Sequence, residues 1–148
     1  MDTTLIKQML SAGIPFNQTL GLEVVDIGDG VGTVRLPDDP RLRNHVQSQH
    51  AGALFTVAEA ASGAAIAGAL LAANLMGAVT PLAKGAEIAY RKLARGAIDA
   101  RATLTADRAA LAADLASGKA ECSVEVTLTD AAGVEVATVK VRWHLRKL

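Results

Sequence analysis

Hydrophobic and polar positions alternate with two different periods along this chain, and each change of period marks an element. Leu5, Ile6, Met9 and Leu10 recur at helical spacing and predict a helix over residues 2–12, which Gly13-Ile14-Pro15 ends. Leu22 to Ile27 and Val31 to Leu36 are short β-branched runs on either side of Gly28-Asp29-Gly30, a turn sequence that closes a hairpin. Pro37-Asp38-Asp39-Pro40 breaks the second run, and a polar loop from Arg41 to Gln49 follows. From Ala51 to Ala83 the only formal charge is Glu59. Apolar residues occupy every side of a helix in this stretch, which predicts one element from about Ala51 to about Met76, buried all round. Gly52, Gly63 and Gly68 each cost about 1 kcal/mol relative to Ala inside a helix, so close packing has to compensate.

Beyond this helix, Gly77 and Pro81 bracket a change of element, and Glu87 to Arg91 reads as the body of a third strand that ends by Gly96. Ile98, Ala100, Ala102 and Leu104 then alternate with Asp99, Arg101, Thr103 and Thr105, the period of a half-buried antiparallel strand. Asp107 is the N-cap of a short peripheral helix carrying Leu111 and Leu115, with Gly118 just past its end. Ala120, Cys122, Val124, Val126 and Leu128 form another apolar face, and Asp130-Ala131-Ala132-Gly133 turns the chain into a last strand. There Val139, Val141, Trp143 and Leu145 share a face, while Val134 and Val136 have the opposite parity, so a bulge is expected near Ala137 or Thr138. The inventory is α+β: a curved antiparallel sheet wrapped around one long central helix lets the sheet's apolar face and the helix bury each other. At 148 residues the chain fits one domain, 1–148.

Composition removes several function classes. Fifteen basic and fifteen acidic residues cancel, with no long basic run, so no nucleic-acid partner is expected. The single cysteine, Cys122, has no partner for a disulfide, and no Cys/His spacing offers a metal site. The N-terminus does not read as a secretory signal, and a cytoplasmic location without metal or cofactor is expected. Residues 51–73 are long enough to span a bilayer, but Glu59 sits near the middle and aromatic and basic flanks are missing, so no membrane span is expected.

Glu59 therefore poses the chemical question, because an unpaired carboxylate is costly to remove from water. One answer is structural: pairing with Lys84, the next charge along the chain. The other is catalytic. Asn44, then His50-Ala51-Gly52 six residues on, then Glu59 nine after the histidine, stand at the motif spacings of the hotdog-fold thioesterases. The chain resembles that superfamily, in particular the PaaI-like acyl-CoA thioesterases of phenylacetate pathways, and its order of elements matches over nearly its whole length. It departs by Ala51 for the motif's first glycine and Glu59 for the more usual aspartate. It also departs by Ala83 near the place of a family serine or threonine, unless Thr80 supplies that hydroxyl.

The resemblance implies a hotdog fold and an acyl-thioester substrate carried by coenzyme A. A thioester needs a donor for charge on its carbonyl oxygen and a base or nucleophile near its carbon. The Gly52 N–H at the helix start is the candidate donor, and Glu59 is the general base or nucleophile. Asn44 either orients water or shapes a turn, and His50 either positions substrate or braces the helix start. Arg91, Lys92 and Arg95 are candidate contacts for the coenzyme phosphates, with solvated surface as the alternative. Gly52 and Glu59 are seven residues apart, about 10.5 Å along one helix, so one carbonyl reaches both only across a two-fold interface. A homodimer, or a dimer of dimers, is expected. The competing functions are a non-catalytic acyl-thioester or lipid-binding dimer and, less well matched, a hotdog dehydratase.

Overall fold

The computed structural model describes residues 2–148. In chain order it contains α1 (Thr4–Ala12), α2 (Pro15–Leu20), β1 (Glu23–Gly28), β2 (Val31–Leu36), a 3-10 turn (Pro40–Leu42), α3 (Ala51–Ala72), β3 (Val79–Tyr90), β4 (Ile98–Leu104), α4 (Arg108–Ala116), β5 (Lys119–Thr129) and β6 (Glu135–Lys147). The six strands make one antiparallel sheet in the order β1-β2-β4-β5-β6-β3, so β1 and β3 are its edges. The sheet wraps α3, which packs chiefly on β2 and β4. This is the hotdog arrangement that the resemblance implies. Although α3 is long and apolar enough to cross a bilayer, 78% of its most apolar stretch is buried inside the fold.

Small residues bring helix and sheet together. A Cβ on Gly32 of β2 would lie 2.7 Å from the Ala61 carbonyl oxygen and 2.8 Å from the Ala64 Cβ, and one on Gly68 of α3 would overlap the Gly28 carbonyl. Facing α3 are the sheet's large side chains, among them Val34, Leu36, Ile98, Leu128 and Leu145, all fully buried. Each contributes roughly 1.5–3 kcal/mol through burial, so the helix supplies closeness and the sheet supplies most of the apolar area.

Four boundaries differ from the sequence expectation. Pro15 does not merely end α1; it opens α2 as the first-turn proline, where its missing N–H withholds nothing. Helix α3 stops at Ala72 rather than near Met76, because Asn74 takes a left-handed φ of 56° and the Leu75 N–H donates to the Leu70 carbonyl, a Schellman closure. Strand β3 begins at Val79, well before Glu87, and includes Pro81. A proline is tolerated there because β3 is an edge strand, and the strand's largely exposed faces leave no period-two pattern to read. The bulge falls at Val136: Leu128 pairs with Ala137 and Thr129 with Glu135, leaving Val136 extra. Its carbonyl accepts the N–H groups of both Arg91 and Lys92. The Asp107 cap holds, with its carboxylate accepting the Ala110 N–H at 2.8 Å.

The tight contact makes a two-sided prediction for urea unfolding. Gly32→Ala and Gly68→Ala should each lose about 1–3 kcal/mol through overpacking. Gly63→Ala, whose new carbon would sit at an ordinary 3.6 Å from Trp143, should instead gain up to about 1 kcal/mol of helix propensity. Equal stability of Gly68→Ala and wild type would show that the helix does not press on the β1–β2 turn.

Candidate active site

The loop before α3 is held rigid by its own polar side chains. The Asn44 Oδ1 accepts from the Val46 and Ser48 N–H groups, both at 3.0 Å, so the carbonyl half of this side chain shapes the turn. The Ser48 hydroxyl donates to the Ala94 carbonyl and accepts the Ala94 N–H. Gln49 is buried and its Nε2 donates to the Pro37 and Gly96 carbonyls, both at 2.9 Å. Together these bonds clamp the loop between the end of β2 and the β3–β4 connection.

At the helix start, His50 is the N-cap, and its Nδ1 accepts the Gly52 N–H at 2.8 Å. Accepting at Nδ1 requires a neutral imidazole with its proton on Nε2, so Nε2–H remains as an outward donor. The same bond corrects the expectation for Gly52, whose N–H is engaged rather than free. The Leu54 N–H is bonded to the His50 carbonyl. Of the remaining first-turn donors, Ala53 is buried and Ala51 is exposed, and neither N–H has a protein acceptor among the described residues. Two groups missed from the sequence adjoin this corner. Thr56 Oγ donates to the Gly52 carbonyl at 2.8 Å, and the Tyr90 hydroxyl donates to the Ala51 carbonyl at 3.0 Å. The spacing of four from Gly52 could have pointed to Thr56, whereas Tyr90 reaches the corner only through sheet topology. A cleft of about 500 Å³ opens here, lined by Phe16, Leu42, His50, Gly52, Phe55 and Thr56 among others.

Glu59 lines a different cleft, of about 320 Å³, with Leu10, Ile14, Gly63, Ala83 and Trp143. No residue lines both. The Glu59 side chain makes no ion pair or hydrogen bond among the described residues, and burial alone pushes its carboxyl above the usual glutamate value. Its backbone is anchored: Ser62 Oγ donates to the Glu59 carbonyl at 2.7 Å and accepts the Trp143 indole N–H at 3.0 Å. The structural alternative for Glu59 is overturned, since Lys84 pairs with Glu121 at 2.6 Å. Thr80 does not line this cleft and Ala83 does, so no β3 hydroxyl stands beside Glu59.

The three candidate cations separate. Arg91 is bound to the Thr138 hydroxyl at 2.9 Å and to Glu135 at 3.4 Å. Lys92 and Arg95 are exposed, have no acidic partner among the described residues, and flank Ala94, which Ser48 ties to the loop. Burial pushes the Cys122 thiol up to about 11, leaving it inert in the core. Among the described residues no group of three His, Cys, Asp or Glu side chains is placed to hold a metal ion.

The family described as Domain of unknown function (DUF4442) matches residues 2–145. A search of curated proteins found no match. Among solved structures, a Pseudomonas aeruginosa protein of unknown function, described as a probable thioesterase, is 33% identical over 100% of this chain and 97% of its own, with a TM-score of 0.86. The PaaI protein of the E. coli phenylacetic acid degradation operon is 17% identical, covering 96% and 92% of the two chains, with a TM-score of 0.70. A hypothetical thioesterase from Streptococcus pneumoniae, solved with coenzyme A, is 16% identical over 85% and 86%, with a TM-score of 0.67. A family match over nearly the whole chain, on a six-stranded sheet wrapped about α3, means that this protein belongs to the DUF4442 family, within the hotdog-fold thioesterase superfamily.

Proposed function

We propose that the protein is a thioesterase that hydrolyses an acyl-coenzyme A in a site shared by two copies of the chain. The observation that carries this reading is the Glu59 carboxylate, unpaired and half-buried in an apolar cleft, on a helix that bears no other charge. An unpaired buried acid costs stability, and a base raised toward neutral pH is what activating water requires. The description of the Pseudomonas relative as a probable thioesterase, and the coenzyme A in the pneumococcal neighbour, support the same reaction and carrier.

In this reading the thioester carbonyl oxygen rests at the start of α3, against the exposed Ala51 N–H and the His50 Nε2–H. Glu59 of a second protomer approaches the carbonyl carbon. As a base it takes a proton from water, whose oxygen bonds to the carbon; the carbon–sulfur bond then breaks and the departing thiolate receives a proton. As a nucleophile its carboxylate bonds to the same carbon, expelling the thiolate and leaving an anhydride that water opens. Asn44 keeps the loop in shape through Oδ1, and its Nδ2, with no partner among the described residues, is the candidate for a further donor. Lys92 and Arg95 are the assigned contacts for coenzyme phosphates, while Arg91 serves the sheet edge. The dimer joins the two clefts, which lie about 10 Å apart on one helix and share no wall. A second reading, a non-catalytic acyl-thioester-binding dimer, draws on the missing β3 hydroxyl at Ala83.

Glu59→Gln should lower kcat with a free acyl-CoA by about 10²–10⁴-fold while ligand binding persists. Near wild-type turnover would remove Glu59 from the reaction, and no turnover in wild type with binding intact would favour the second reading. The wild-type rate should climb with pH through the raised Glu59 value, because only the ionised acid accepts a proton.

Stability tests the same carboxyl independently. A folded-state value above the unfolded one means that the contribution of Glu59 is fully present below the unfolded value and is lost as pH rises through the folded one. Glu59→Gln should therefore unfold at a higher temperature than wild type at neutral pH, with the gap closing in acid. A variant less stable at every pH would make Glu59 a structural residue.

Complementation tests the shared site. Glu59→Gln and Asn44→Ala protomers, each inactive alone, should regain activity on subunit exchange as one intact site forms per heterodimer. Proven exchange without recovery, or full activity of a monomer, would exclude it.

A further inference from the structure

Beside the Glu59 cleft lies a second apolar pocket that the reaction does not use. It measures about 220 Å³, is partly open to solvent, and sits between the C-terminal half of α3 and the peripheral helix α4, lined by Ile66, Ala69, Leu104, Leu111, Leu115 and Leu145. At its rim Arg108 bonds to Asp29 through Nε at 3.1 Å and to the Asp29 carbonyl at 3.3 Å, so the polar groups nearest the cavity satisfy each other. A pocket of this size has room for several hydrocarbon carbons, and walls this apolar favour hydrocarbon over water.

The two spaces are neighbours. Leu70 lines both, and the floor passes from Trp143 in the Glu59 cleft to Leu145 in the distal cavity, two positions along one face of β6. Leu70 lies eleven residues after Glu59, about 16 Å along the helix. With C–C bonds near 1.5 Å, an extended chain leaving a carbonyl at Glu59 meets Leu70 after roughly a dozen carbons. The groove between is roofed by Leu10 and Ile14 from the α1–α2 elbow and floored by Gly63, Ala67 and Trp143. It offers no charged group other than Glu59 itself.

We propose that the cavity beneath α4 receives the far end of a long unbranched acyl chain, and that Leu70 is the partition the chain passes. This rests on the thioesterase reading for the position of the carbonyl, but not on turnover. It makes the preferred acyl group a long-chain fatty acyl rather than a compact aromatic one, which would fill the groove beside Glu59 and leave the distal cavity empty. It also gives α4 a purpose: Leu111 and Leu115, the two buried side chains of that helix, close the end of the tunnel.

Trp143 is the only tryptophan and lines the Glu59 cleft, so its emission reports occupancy without any reaction. The probes are octanoate, dodecanoate and hexadecanoate, titrated below their micelle concentrations. Affinity should rise along the series in wild type. Two substitutions fill the distal cavity from opposite walls without touching the Glu59 cleft: Ala69→Leu on α3 and Ala112→Leu on the exposed side of α4, where folding is not at stake. Each should weaken hexadecanoate at least tenfold and leave octanoate within twofold. The proposal is overturned if wild type binds none of the three, or if Ala112→Leu leaves hexadecanoate untouched or weakens all three alike. A parallel assay with the matching acyl-coenzyme A series separates the two readings. Length-dependent binding without thiol release would sink the hydrolase and keep the tunnel, whereas hydrolysis indifferent to both substitutions would do the reverse.

Discussion

The close approach of α3 to the β1–β2 hairpin is the contact on which the rest of the structure depends. Gly32 and Gly68 lie where any side chain would strike backbone, and Ala61, Ala64 and Ala65 fill what space remains. A helix built of alanine and glycine gains little from its own burial. Its role is to let the sheet curve around it closely enough for the sheet's valines, leucines and isoleucines to become fully buried. The glycines' cost in helix propensity is offset by area gained on the strands opposite.

That seating also decides which side of α3 stays open. With one side of α3 pressed on β2 and β4, a stripe at helical spacing, Gly52, Thr56, Glu59 and Gly63, is left on the less covered side. Glu59 is half-buried because Trp143 of β6, β3 and the α1–α2 elbow, rather than β2 and β4, line its cleft. Ser62 links the two systems, since one hydroxyl binds both the Glu59 carbonyl and the Trp143 indole. The helix backbone beneath the carboxylate is thus fixed, while the carboxylate itself has no partner among the described residues. A carboxyl held in place without stabilising contacts costs the fold stability.

The start of α3 is organised by different means. Asn44 through Oδ1, Ser48 through its hydroxyl and Gln49 through Nε2 bond to backbone atoms of the loop, of the segment after β2 and of the β3–β4 connection, which orients His50 and the first helical turn as a unit. The His50 cap satisfies one first-turn donor and, by fixing the imidazole tautomer, turns its other nitrogen into a donor. Two of the four motif residues, Asn44 and His50, therefore bond to the neighbouring backbone.

The sequence by itself determined the order of the six strands and of α1, α3 and α4, though not α2, together with the buried nature of α3, the α4 cap at Asp107 and the lone charge at Glu59, because periodicity and the absence of charge are local properties that survive without a third dimension. It also located the bulge in β6 to within a residue, since a change of parity has to be absorbed somewhere. Tertiary structure alone decided the partners. Lys84 stands close to Glu59 in the list of charges, but β3 pairs with β6 beside β5, which delivers Lys84 to Glu121 instead. The early start of β3 was illegible because an edge strand exposed on both faces has no alternation, and Pro81, a breaker by composition, is harmless on such an edge. The engagement of the Gly52 N–H, the arrival of Tyr90 at Ala51 and the cavity under α4 all depend on which distant atoms the wrapped sheet brings within a few ångströms. Spacing along one chain cannot carry that information.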